Sequence, residues 1–184
     1  MAETSQPAMI QIPLVPGREC GDCMLCCKLF ELDELAKPRG KWCQHAVASK
    51  GCSIHADRPG ACQTFFCKWM MDPSLGPDWK PSKAKFVLQP MPNGNMQILV
   101  DPAHPAAWKQ DLYYPTIKLA AAQMFERGKY VIVSVGTKGF VVLPQKDVPL
   151  PNLPTLGAFR IETAIIDGKP DFRVIVDDST AQQT

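Results

Sequence analysis

No cysteine occurs in the last 117 residues of this chain. All eight lie between positions 20 and 67, as Cys20, Cys23, Cys26, Cys27, Cys43, Cys52, Cys62 and Cys67. Other absences narrow the function classes. The net charge is only +2 and the pI near 8.1, well short of the clustered basic face that nucleic acid demands. No apolar run approaches the roughly 20 residues needed to cross a bilayer. Residues 1–17 contain neither a basic start nor an apolar stretch before a small-residue cleavage site, so no secretory signal is expected. The expectation is a cytoplasmic protein with reduced thiols, whose partners include neither nucleic acid nor membrane. H-E-x-x-H, H-x-E with paired C-x2-C, and G-x-G-x-x-G are missing too, so no general base or methyl-donor pocket stands out.

What is present divides the chain in three. Residues 1–16 are polar and punctuated by proline, and are expected as an extended arm. Residues 17–72 hold the cysteines. There Leu29, Phe30, Leu32 and Leu35 recur at near-helical spacing before Pro38 and Gly40, which predicts a short helix after the first cysteine group. Lys50-Gly51 and Arg58-Pro59-Gly60 signal turns, so this region reads as loop-rich and organised by metal rather than by a large core.

Residues 73–184 carry strand signals in pairs. Phe86 to Leu88 and Met96 to Val100 flank Asn93-Gly94, a pair suited to the positive φ of a hairpin turn. Val131 to Val135 and Phe140 to Leu143 flank Gly136 to Gly139, and Arg160 to Ile166 and Phe172 to Val176 flank Asp167-Gly168. A helix is predicted from Pro115 to Arg127, capped by Gly128, with Ile117, Ala120, Ala121, Met124 and Phe125 on one face. Pro144 to Pro154 reads as an irregular crossing anchored by Leu143, Val148, Leu150 and Leu153. The fold class expected is α+β, with a cysteine-rich, metal-organised N-terminal region packed on an antiparallel sheet with one main helix. The cysteine region is small enough to share the core of residues 73–184.

The cysteine spacing is C-x2-C-x2-C-C-x15-C-x8-C-x9-C-x4-C. Two intervening residues let consecutive thiolates turn inward on one ion or cluster, and spacing and compartment together favour metal over disulfides. Eight thiols exceed the four of one tetrahedral zinc, and adjacent residues such as Cys26 and Cys27 seldom face the same ion. Two centres, or one centre with spare thiols, both stand open. One arrangement sets Cys20, Cys23 and Cys26 with a remote cysteine around a [4Fe-4S] cluster and leaves Cys27, Cys43, Cys52 and another for zinc or a second cluster, although the ferredoxin run C-x2-C-x2-C-x3-C-P is matched at only three positions. Zinc is the first expectation and iron or an iron-sulfur cluster the alternative.

Single residues carry competing readings. Cys67 sits in the apolar run Thr64 to Met70, where a ligand and a buried structural cysteine are both reasonable. His45 and His55 suit donors to thiolate sulfur better than direct ligands. His104, in Asp101-Pro102-Ala103-His104-Pro105, suits a turn, and Asp72 and Asp78 have no diagnostic spacing. Lys80, Lys83 and Lys85 beside Trp79 read as a solvated surface. Arg58 is placed to offset the charge of a thiolate cluster and donate to sulfur, with Trp42 and Trp69 as walls against solvent.

The run Cys20-Gly-Asp-Cys23-Met-Leu-Cys26-Cys27, then Cys43, then Gly51-Cys52-Ser-Ile, then Asp57-Arg58-Pro59-Gly-Ala-Cys62-Gln-Thr-Phe65, resembles the CxxCxxCC cysteine-cluster family of zinc- or iron-chelating domains. The resemblance covers roughly residues 18–70. It implies Cys20, Cys23, Cys26, Cys27, Cys43, Cys52 and Cys62 as metal ligands, with Cys67 matching a cysteine found in only some members. Ala56 and Gln63 stand where the family usually has an aromatic residue and an arginine. A related cysteine region occurs in flagellin lysine N-methylases, while residues 73–184 resemble no family. The reading is a metal-binding protein of structural or interaction type, with a protein partner as its second contact. An iron-sulfur redox protein is the alternative and a metal-dependent enzyme the third.

Overall fold

The computed structural model of the protein describes residues 13–150, 159–166 and 169–176. In the cysteine region the elements are α1 (Leu25–Leu29), β1 (Ala46–Val47), β2 (Gly51–Cys52), α2 (Gly60–Thr64) and α3 (Lys68–Met71), followed by α4 (Pro81–Ala84). Each has five residues or fewer, too few for a helix or hairpin to stand alone. The helix expected after the first cysteines instead lies within them, covering Cys26 and Cys27, and ends where Phe30 turns extended at ψ 151°. At this end the buried ammonium of Lys37 donates to the carbonyls of Lys28 and Phe30 and so satisfies oxygens the helix leaves open. Leu32 to Leu35 form only a single 3-10 turn over Asp33–Leu35.

The arm is tied down from residue 13 onward, and residues 1–12 lie outside the described residues. The Val15 amide donates to the Met70 carbonyl at 2.8 Å. Arg18 donates to the carbonyls of Trp69, Asp72 and Leu75 while its guanidinium lies 4.8 Å from the Trp69 ring centroid.

Five strands form the central sheet: β3 (Phe86–Pro90), β4 (Met96–Val100), β5 (Val131–Val135), β6 (Lys138–Val142) and β7 (Asp147–Leu150), in that spatial order. The first two predicted hairpins are β3/β4 and β5/β6, turning at Gly94 (φ 84°) and Gly136 (φ 59°). Between them runs α5 (Tyr114–Phe125), closed by Gly128 at φ 65° with the Lys129 amide on the Met124 carbonyl. Because this helix carries the chain back across the sheet, β4 and β5 pair in parallel, from Met96 opposite Val131 to Val100 opposite Val135. The sheet is mixed, a correction to the antiparallel expectation within the α+β class. The proline-rich crossing is corrected as well, since Asp147–Leu150 is an edge strand, a place where Pro149 costs no interior ladder bond. Residues 151–154 of that crossing are outside the described residues. The third hairpin is the separate pair β8 (Phe159–Ile166) and β9 (Lys169–Val176), and its Asp167-Gly168 turn is likewise undescribed.

Alternating side chains bury both faces of the sheet. Phe86, Leu88, Ile98, Val100, Val131 and Val133 face Trp108, Tyr113, Ile117 and Ala121 on the α5 side. On the opposite face, Val87 and Leu99 receive Leu25, Leu29, Cys67 and Met70 from the cysteine region. Farther along that face, Ile132, Val141, Leu143 and Leu150 receive Phe159, Ile161, Phe172 and Val174 of the β8/β9 hairpin. The cysteine region is thus seated on the β3–β4 half of the sheet. Among the described residues no helix is long and apolar enough to cross a membrane.

Candidate metal centre

The short elements of residues 17–72 bring all eight cysteines to two adjoining cavities. Cys20 and Cys23 precede α1, Cys26 and Cys27 lie within it, Cys52 closes β2 opposite Ala46, Cys62 is mid-way along α2, and Cys67 immediately precedes α3. Cys43 is fixed to the first group through its amide, which donates to the Cys27 carbonyl at 3.0 Å. A cavity of about 30 Å³ is lined by Cys20, Cys23, Cys26 and Cys67, with Trp69 and Val87 among its other walls. A second, of about 250 Å³, is lined by Cys20, Cys26, Cys27, Cys43, Cys52 and Cys62, together with His45, His55 and Arg58.

One backbone approach sets this geometry. Gly51 adopts φ 93°, and a Cβ placed there would stand 2.8 Å from the Gly21 carbonyl oxygen. Only glycine lets the Cys52 turn close against the Cys20 to Cys23 loop. The glycine before Cys52 has this steric reason.

Hydrogen bonding and charge are unevenly distributed over the thiols. The Cys26 thiol shares hydrogen bonds with the Cys20 and Cys27 sulfurs, and these bonds with burial push it far above the ordinary thiol range. The same bonds lower Cys20 to about 6 and Cys27 to about 7. For Cys20, burial opposes the shift, while the charges of His55 and Arg58 and a hydrogen bond from His55 support it. Burial raises Cys62, followed by the neighbouring charges of Cys27, Cys43 and Cys52. Burial also raises Cys67, whose thiol neighbours are Cys23 and Cys20. Amide hydrogen bonds favour sulfur in its charged form, and the Ser82 amide donates to Cys23 Sγ at 3.1 Å.

The basic residues only partly occupy the predicted positions. Arg58 donates to the carbonyls of His55 (2.6 Å) and Cys62 (3.2 Å) and lies 3.3 Å from the His55 ring nitrogens, so its charge is near the thiols while its hydrogen bonds go to backbone and imidazole rather than to sulfur. His55 reaches Cys20 as a hydrogen-bond partner, and His45 lines the larger cavity with Gln44 3.3 Å away. Trp69 walls the smaller cavity, but Trp42 is 55% exposed and instead faces Lys28, 5.6 Å from its ring. Trp42 is therefore no barrier to solvent. His104 serves a turn, its amide on the Asp101 carbonyl. Lys80 and Lys83 pair with Asp22 and Asp78, and Lys85 donates to the Ser82 carbonyl, which removes the basic run as a ligand surface.

Three contributors escaped sequence reasoning. Lys37 is buried within reach of the Cys43, Cys27, Cys26 and Cys62 charges; burial lowers its pKa and those charges oppose the shift. Nothing in Ala36-Lys37-Pro38 signals that role. Ser82 supplies its amide from beyond the cysteine region. Lys28 pairs with buried Asp101 at 2.7 Å and fastens α1 to the end of β4.

No disulfide joins any of the eight cysteines. Among the described residues no group of three or more His, Cys, Asp or Glu side chains is closed into metal-ligand geometry. The donors nevertheless suit a thiophilic ion in type and number, since eight soft sulfurs supply two tetrahedral shells. No protein family, curated protein or solved structure matches this chain.

Proposed function

We propose that residues 17–72 are a metal-binding module that holds zinc through cysteine thiolates and, so organised, presents a surface to a protein partner in the cytoplasm. The observation that carries this reading is the gathering of eight unpaired thiols onto two adjoining cavities by elements too short to hold themselves. Like-charged thiolates brought together this way repel, and a divalent cation converts that repulsion into cohesion. The resemblance to the CxxCxxCC cysteine-cluster family points the same way. Zinc bound to thiolates supplies folding free energy and no redox chemistry.

An iron-sulfur redox centre is the second reading, favoured by one observation: Cys20, Cys23 and Cys26 share a cavity with the distant Cys67. Zinc, iron and acid-labile sulfide counted on anaerobically purified protein decide between them. Zinc without sulfide is expected. Iron with matching sulfide would replace the reading with an electron-transfer protein, and neither metal would remove it.

A further inference from the structure

The two cavities divide the eight thiols unevenly but completely. Cys23 and Cys67 line only the smaller, while Cys27, Cys43, Cys52 and Cys62 line only the larger. Cys20 and Cys26 form the wall between them and line both. A tetrahedral shell needs four sulfurs, and the larger cavity already has four without the shared pair. We infer that the chain holds two separate tetrathiolate centres, each for one divalent thiophilic cation: Cys20, Cys23, Cys26 and Cys67 bind the first, and Cys27, Cys43, Cys52 and Cys62 the second. This rests on the metal-binding reading above.

The division is closest at Cys26, whose thiol is hydrogen-bonded to both Cys20 and Cys27 and which lines both cavities. Cys27 lines only the larger cavity and is assigned there, and Cys26 goes with Cys20, Cys23 and Cys67, with which it completes four sulfurs around the smaller. Cys67, the remote member, reaches the first centre because Met70, one turn beyond it, packs with Leu25 and Leu29 of α1 over Val87 and Leu99. The surroundings differ in part. The first centre receives a neutral donor, the Ser82 amide on Cys23 Sγ, and the Trp69 wall. The cations Lys37 and Arg58 stand between the two centres and serve both: Lys37 is within reach of Cys43, Cys27 and Cys62 but also of Cys26, and the Arg58 charge acts on Cys62 and on Cys20.

Cadmium binding tests the division. Reduced apoprotein is titrated with Cd²⁺ and followed by metal count and ¹¹³Cd NMR. Two ions per chain are expected, giving two resonances in the four-sulfur range. Cys43→Ser should remove one ion and one resonance, and Cys67→Ser the other. Cys67 also packs in the core, so Cys20→Ser, at an exposed position, repeats the test of the first centre. A single ion per chain, or variants of both quartets losing the same resonance, would overturn the division and leave the metal module standing. No bound ion would overturn both, and iron with sulfide in the native protein would overturn the single-ion centres.

Discussion

Strand β5 buries four of its five residues, whereas α2 buries none of its five. The contrast runs through the molecule. The sheet is held by removal of apolar area from water, with Val87, Val133, Val141 and Leu143 fully buried on its two faces. Most of the cysteine region lacks that resource, and three of the side chains it does bury are thiols: Cys23, Cys43 and Cys67. One half of this protein is built by solvent exclusion, and the other buries little apolar area, a gap that the proposed metal would fill. The two meet where α1 and α3 sit on β3 and β4.

Substitutions in each half and at the seam should separate these sources of stability. The largest effect is expected in the sheet's own core. Trp108, 1% exposed and edge-on to Tyr114, becomes a cavity in Trp108→Ala, at a cost of about 4 kcal/mol in urea unfolding. Metal content of the folded fraction should not change, and a parallel loss of metal would deny the two halves separate support.

At the seam, Asp101→Asn leaves the Lys28 ammonium without its counter-charge and should cost about 3 kcal/mol. Burial disfavours the Asp101 carboxylate, but the bond from Lys28 and the Ala103 amide outweigh it and hold its pKa below the ordinary value. A lowered folded pKa stabilises above the unfolded value and is lost as pH falls through the folded one. Wild-type stability should therefore drop on acidification below about pH 4, with a shallower drop in Asp101→Asn. Identical acid profiles would place the seam's stability elsewhere.

The smallest effect belongs to the cysteine region. Gly51→Ala forces a side chain into φ 93° and against the Gly21 carbonyl, a strain of about 1–2 kcal/mol. It should weaken Cd²⁺ binding while leaving the urea midpoint of the sheet within error. A variant that binds as the wild type would show that the two loops need not touch.

The elements legible in sequence were those whose cause is local. Asn93-Gly94 announced one hairpin, and Pro115 with Gly128 bracketed the helix within two residues at each end. The parallel pairing of β4 and β5 was hidden because it depends on where α5 returns the chain, and a hairpin signal says nothing about the partner across a crossover. Pro144 to Pro154 read as an irregular crossing because the edge position that admits Pro149 into a strand is a property of the assembled sheet. The cysteines were visible as candidate ligands, and Cys20, Cys23 and Cys26 with a remote cysteine was one arrangement open in the sequence, but which remote cysteine shares their cavity was not legible. It depends on where Cys67 lands, and that is set by Met70 packing against Leu25 and Leu29, a contact between distant segments. Lys37 was invisible for the same reason, since its burial is created by the chain folding back at Leu32.

The seating of α1 and α3 on Val87 and Leu99 has a consequence for how the site fills. Fixing one residue's backbone costs about 1–2 kcal/mol, and an ion that must order its own loops surrenders that much affinity for each. Cys23 and Cys67 are held in advance, Cys23 by the Ser82 amide and Cys67 by apolar neighbours that require no ion. Cys43 lies on a turn, Cys52 on a two-residue strand and Cys62 on the five-residue α2, none of them packed in the clusters on the sheet. Under the two-centre division proposed above, the sheet is a template for one of the two centres, and loading is expected in an order: the pocket against the sheet fills first, at the lower ion concentration.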